Sequence, residues 1–279
     1  MKLFKVDGAV LFQTATAEYK VENLSWDALV NQENLYDFLA AYAITHEPIA
    51  STIDGKQLEA PIGSQEIWAA GVTYLRSKEA RMDEAKESGA ADFYAKVYEA
   101  KRPELFFKST AARCAGPDQE VMIRRDSQWN VPEPELTLFA NASGKIVGYT
   151  IGNDMSSRDI EGENPLYLPQ AKCYQRSADI GPCLLVPSKP IDADTQIHMS
   201  IERNKEIVFS GSISINQMKR KHEELIGYLF MEMDFPQGVY LMTGTCLVPP
   251  NDFTLAVDDL VHMSIDGIGS LRNKVAVKQ

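Results

Sequence analysis

The chain has 279 residues, 44% hydrophobic and 24% charged, the proportions of a globular protein with a sizeable core. Its formal net charge of -11 and pI of about 4.9 set up a field that repels nucleic acid and anionic lipid, and no apolar run reaches the roughly 18 residues of a membrane-spanning helix. No nucleic-acid or membrane partner is expected, and an anionic substrate would need positive charge gathered locally by a metal or a few Lys and Arg side chains.

The first residues lack an apolar stretch with a small-residue cleavage site, so no leader is expected. Residues 2–6 and 9–14 flank Asp7-Gly8, a two-residue hairpin signal. Leu35, Phe38, Leu39 and Tyr42 at helical spacing predict a helix over 33–43. Pro48 and Asp54-Gly55 punctuate short extended pieces. A boundary near Ala60-Pro61 separates a small N-terminal α/β unit, 1–61, from a larger domain, 62–279.

Residues 67–72 read as a short apolar strand. The charged stretch 76–100 reads as a long helix with a solvated face, broken near Ser88-Gly89 and ended by Pro103. From Leu105 the pattern turns to strands, over 105–108, 120–124, 136–140, 145–151, 183–186, 197–202, 207–215, 239–243 and 261–265, with Asn204-Lys205 as a hairpin tip. A helix over 217–233 carries Met218, Leu225, Leu229 and Met233 on its apolar stripe. The fold class is therefore α+β, mainly β. The cysteines Cys114, Cys173, Cys183 and Cys246 form no CxxC pair, so they read as small buried thiols in a reducing compartment, the cytoplasm.

Chemistry concentrates in Val131-Pro132-Glu133-Pro134-Glu135-Leu136. Residues two apart in an extended chain point to the same side, and the two prolines stiffen the backbone, so Glu133 and Glu135 are presented together. A third carboxylate, Asp154, follows the apolar strand over 146–151. Three carboxylates with no His or Cys nearby suit a hard cation, Mg²⁺ first, with Mn²⁺ or Ca²⁺ as substitutes, and leave positions for water and substrate. Spacing alone leaves open the plainer reading of two surface glutamates and a turn aspartate.

Several motifs in order resemble the fumarylacetoacetate hydrolase family: Glu133-x-Glu135, the run from Gly148 to Asp159, Lys172, Gly181-Pro182 and Thr243-Gly244-Thr245, within a match over about 67–277. The resemblance implies a mixed β-roll or sandwich, a homodimer or higher homo-oligomer, metal ligands at Glu133, Glu135 and Asp154, an active-site lysine at Lys172, and Thr245 at the carboxylate end of the substrate. The hydrolytic members carry an Asn-Tyr-x-x-His pattern; here the run is Thr73-Tyr74-Leu75-Arg76-Ser77, with Ser77 in the histidine position. The chain's histidines, His46, His198, His222 and His262, lie far from these motifs, and His222 among Lys219, Arg220 and Lys221 reads as a solvated helix face. Gly71-Val72-Thr73-Tyr74, the run from Arg102 to Lys108, Trp129–Glu133 and the run from Val248 to Leu255 look instead like the 2-keto-3-deoxy sugar acid dehydratase branch. That branch converts 2-keto-3-deoxy-arabinonate or -xylonate to 2-oxoglutarate semialdehyde.

The substrate this implies is a 2-oxo acid whose carboxylate and 2-oxo oxygens meet the metal, which stabilises the enolate formed when C3 loses a proton. Glu104 and Lys172 are the candidates for moving protons; a metal beside Lys172 in a closed site would help it act as a base. Arg158 would hold Asp159 or Asp154 in place, and Tyr74, Arg76 and Ser77 would contact the distal hydroxyls. The alternatives are a hydrolase or decarboxylase of a 2,4-dioxo acid, which needs a replacement for the missing histidine, and a non-catalytic member that keeps only the fold.

Overall fold

The structure, a computed structural model, describes residues 1–50, 53, 55–75 and 96–279. Strands β1 (Lys2–Val6) and β2 (Ala9–Gln13) form the anticipated hairpin, with Asp7 and Gly8 both at positive φ as a tight two-residue turn requires. After β3 (Glu18–Val21) come helices α1 (Trp26–Val30) and α2 (Leu35–Thr45), then β4 (Leu58–Glu59) and β5 (Glu66–Gly71). The Ser25 hydroxyl caps α1 by accepting the Ala28 N–H at 3.2 Å.

Past the charged stretch lie β6 (Glu104–Thr110), β7 (Cys114–Ala115), β8 (Glu120–Ile123), β9 (Asn130–Val131), β10 (Pro134–Ala140), β11 (Ile146–Asp154) and β12 (Ser156–Ser157). Two short helices, α3 (Arg158–Glu163) and α4 (Leu168–Lys172), precede β13 (Ala178–Leu185). The chain ends with β14 (Gln196–Arg203), β15 (Glu206–Ser214), α5 (His222–Leu229), β16 (Val239–Met242), β17 (Leu260–Ile265) and β18 (Gly269–Val277).

Among the described residues a large mixed sheet runs β3-β2-β1-β13-β11-β10-β16-β5-β6, with β4 on β1 and β7 on β13. The N-terminal strands thus extend this sheet through the β1–β13 pairing. A second sheet runs β15-β14-β17-β18-β8. Every residue of β10 and β16 is buried, so their side chains split by the two-residue alternation between two cores. Leu136, Leu138 and Leu241 face a core shared with Ile197, Met199, Val261 and Leu271 of the second sheet; Phe139, Tyr240 and Met242 face one shared with Trp26, Leu29 and Leu39 of α1 and α2. The α+β, mainly β class read from the sequence is the class observed.

Three sequence expectations are corrected. The helix predicted over 217–233 is only α5, because the chain before it is tied to another segment: Met218, extended, bridges to Tyr74, and the Lys219 N–H donates to the Thr73 carbonyl at 2.9 Å. Arg220 is buried, not solvated; its guanidinium donates to the Val97, Ala100 and Lys101 carbonyls and to Glu224, while His222 is half-buried against Tyr149. Strand β18 was not anticipated, since alternation with Arg272 and Lys274 thins its apolar signal to Leu271 and Val275. Of the long helix predicted over 76–100, residues 76–95 lie outside the described residues. No helix among the described residues is long and apolar enough to cross a membrane.

Candidate metal centre

Register brings the acidic residues together. In the β10–β11 ladder Pro134 faces Asn153 and Glu135 faces Gly152, so the start of one strand meets the end of the other. β11 runs on through Asp154, which therefore belongs to the strand and not to a loop after it. Beyond the ladder the Asn153 side chain accepts the Glu133 N–H at 3.2 Å, and the Asp154 N–H donates to the Glu133 carbonyl at 3.0 Å. β5 and β16 are parallel neighbours, so the loops after both, Thr73–Tyr74 and Thr243–Thr245, arrive at the same end. They are tied there by a 2.7 Å hydrogen bond from the Thr73 hydroxyl to the Thr243 carbonyl.

Glu133, Glu135 and Asp154 are all buried, and one carboxylate oxygen from each lies within 4.8 Å of the others. Burial, then the charges of Asp154 and Glu133, pushes the Glu135 carboxyl well above the usual carboxylate range, against a 2.7 Å bond from the Gly244 N–H. Burial also pushes Asp154 up, but the Lys108 and Lys172 ammonium groups outweigh it and hold that carboxyl below its ordinary value. Three convergent all-oxygen ligands, one of them strained by its like-charged neighbours, fit a hard divalent cation such as magnesium.

Cations already line the site. Lys172, 1% exposed at the end of α4, donates to Glu133 Oε2 at 2.7 Å, Asp154 Oδ2 at 3.0 Å and the Ser156 hydroxyl at 2.5 Å. Arg158 donates to Glu133 Oε1 at 2.7 Å. This replaces the expected partners Asp154 and Asp159, because Asp159 turns the other way and accepts from the Ser127 hydroxyl and the Gln128 N–H, each at 2.6 Å. Two groups escaped the sequence reading. Lys108 is fully buried with its ammonium 2.6 Å from Asp154 Oδ1, and Glu161 is buried beside Arg158 and Lys172 at 3.8 and 3.9 Å. The i,i+3 spacing from Arg158 was a signal for the second; for the first there was none, since residues 104–107 of β6 are all half-buried and no alternation marks Lys108. Four carboxylates, Glu133, Glu135, Asp154 and Glu161, thus meet three cationic side chains, Lys108, Arg158 and Lys172, in this cluster.

Tyr74 is buried, and its hydroxyl is pushed up by burial and by nearby Cys246 and Glu135, so it stays a proton donor. Thr245 is buried and its hydroxyl accepts the Leu247 N–H at 3.2 Å. Glu104 heads β6, four residues before Lys108, with its carboxylate over Gly71, where a Cβ would lie 2.2 Å from Glu104 Oε2. Arg76 and Ser77 lie outside the described residues.

The profile of the family described as fumarylacetoacetate (FAA) hydrolase, C-terminal, matches residues 66–276. The chain is 46% identical over 216 residues (77% of it, 73% of the relative) to a protein of Haloferax volcanii named "Probable 2-keto-3-deoxyxylonate dehydratase". It is 42% identical over 224 residues (78% of it, 74% of the relative) to 2-dehydro-3-deoxy-D-arabinonate dehydratase of Saccharolobus solfataricus. Among solved structures it is similar to 2-keto-3-deoxy-D-arabinonate dehydratase complexed with magnesium and 2,5-dioxopentanoate, with a TM-score of 0.82, 33% identity and 100% of both chains covered.

Proposed function

Since the chain belongs to the fumarylacetoacetate hydrolase family, we propose that it is a magnesium-dependent hydro-lyase that dehydrates a 2-keto-3-deoxy pentonate to 2-oxoglutarate semialdehyde. The observation that carries this reading is the buried trio Glu133, Glu135 and Asp154 with Lys172 bonded to two of its members, in a chain 42% and 46% identical to the two named dehydratases.

Glu133, Glu135 and Asp154 hold the cation, and Arg158 keeps the Glu133 carboxylate turned toward its neighbours. When bound, the cation supplies Lewis acidity at the 2-oxo acid end of the substrate. Lys172 takes the proton from C3, and Glu104 gives one to the C4 hydroxyl as the C4–O bond breaks and water leaves. A proton then moves from C5 to C3 to give the C4–C5 enol, whose O–H proton passes to C4 and leaves an aldehyde at C5. Tyr74, Arg76 and Ser77 recognise the distal hydroxyls, and Thr245 the carboxylate end. We take the enzyme to work in the cytoplasm as a homodimer or larger homo-oligomer; four cysteines that form no disulfide suit a reducing compartment.

The test is turnover. Purified protein with Mg²⁺ and each 2-keto-3-deoxy pentonate should yield semialdehyde, followed as NADP⁺ reduction by a coupling dehydrogenase, and EDTA should stop it. No product from any stereoisomer at saturating Mg²⁺ would overturn the assignment.

A further inference from the structure

Lys108 is a lysine that neither the reaction nor the ligand set uses, yet it is one of the largest fully buried side chains in the protein. An ammonium group has three N–H donors. At the metal centre two of them go to carbonyls, Met155 at 2.9 Å and Lys172 at 2.5 Å, and the ammonium is ion-paired with Asp154 Oδ1 at 2.6 Å. One partner is a ligand carboxylate, another is the backbone just after it, and the third is the backbone of Lys172, whose ammonium bonds the same carboxylate through its other oxygen. The strand carrying Lys108 is docked there a second time, since the Cys173 thiol donates to the Phe107 carbonyl at 2.9 Å. With Oδ1 of Asp154 held by Lys108, it is Oδ2 that turns toward Lys172, at 3.0 Å.

We propose that Lys108 is a positioning residue of the metal centre: it selects which oxygen of Asp154 faces the other ligands and sets the spacing between Asp154 and Lys172. The inference rests on the metal reading of the trio. A lysine that only neutralised a buried aspartate would need one contact; this one spans two segments, β11 and α4, whose relative placement decides whether Lys172 reaches both Glu133 and Asp154.

The experiment compares wild type with Lys108→Met, which keeps length and apolar stem but removes every donor. Mn²⁺ alone is titrated and followed by electron paramagnetic resonance; kcat and KM are then measured at saturating metal, and folding is checked by circular dichroism. Mn²⁺ affinity should fall roughly 10–100-fold, and kcat should fall by a similar factor while KM changes less, because Lys172 is displaced even when metal is present. Lys108→Gln, which retains two amide donors, should recover part of both, and it replaces the methionine variant if that one does not fold. A folded variant that binds Mn²⁺ within about twofold of wild type with unchanged kcat would overturn the positioning role. A wild-type protein that binds no Mn²⁺ would overturn the metal centre itself, and this role with it.

Discussion

Asp154 on β11 and Asp179 on β13 are nearly level across the same pair of strands, where Asn153 faces Asp179 and Asp154 faces Ala178. Both are buried, 1% and 0% exposed. Asp154 has two ammonium groups bonded to it and is held below its ordinary value. At Asp179 burial dominates, eased only in part by the Asn153 amide and by Lys108, and its carboxyl is pushed up to about 8. Depth alone neutralises a carboxylic acid; an ionised one has to be built with its cations around it. The metal centre is thus marked less by the presence of acidic residues than by the lysines and arginine folded in beside them.

The comparison would be broken most readily at Glu133. Glu133→Gln keeps shape but lowers ligand charge, and should cost more than the roughly 100-fold in Mn²⁺ affinity and turnover that loss of an outer hydrogen bond costs. Retained affinity in a paramagnetic resonance titration would remove Glu133 from the ligand set. Next in size is Asp154→Ala, which strips Lys108 and Lys172 of a shared carboxylate while leaving both ammonium groups buried. Breaking a buried pair in this way should cost about 3–5 kcal/mol in denaturant unfolding of the metal-free protein. A loss below about 1 kcal/mol would mean that water reaches both lysines.

Asp179 gives the opposite sign. Its folded pKa of about 8 lies above the roughly 3.9 of an unfolded aspartate, so its contribution is full at low pH and is lost as pH rises across that window. Folding stability should fall by up to about 1.4 kcal/mol per pH unit on this account and level off above the folded value. Asp179→Asn should flatten the profile, measured between pH 5 and 9 with Mg²⁺ saturating, and should be more stable than wild type at the alkaline end. Parallel profiles for the two proteins would show that Asp179 is ionised throughout.

This contrast explains what could be read from the sequence. Glu133-x-Glu135 was legible because two prolines and a two-residue period constrain where the carboxylates point, and the ladder from Pro134 to Asn153 joins them to Asp154. Lys172 was named only through resemblance; its own surroundings, a short helix among exposed residues such as Leu166 and Tyr167, resemble a surface loop. Lys108 stood in a quoted run but carried no role, since a lysine after two phenylalanines gives no sign that its partner is Asp154, 46 residues on. Arg158 was sent to the wrong carboxylate for the same reason: local sequence ranks the adjacent Asp159 first, and only the packing of α3 against β9 and β12 turns the guanidinium to Glu133.

The smallest expected effect is the control for all of these. Arg124 and Asp126 form a pair as short as any in the metal centre, with Nη2 and Oδ2 2.5 Å apart, and the Arg124 side chain holds the Asp126 carboxyl below its ordinary value. Asp126, however, is 66% exposed, and water screens what the distance promises. Its depressed pKa means that any stability it adds is present at neutral pH and disappears only as pH falls through the folded value, at the acid edge of the carboxylate range. Asp126→Asn should therefore cost less than about 1 kcal/mol at pH 7, and that small loss should shrink further in 1 M salt, where charges are screened within about 3 Å. Asp154→Ala should keep most of its penalty in the same salt, because its partners are out of reach of counterions. If salt erased both losses alike, burial would not be what separates the two regions.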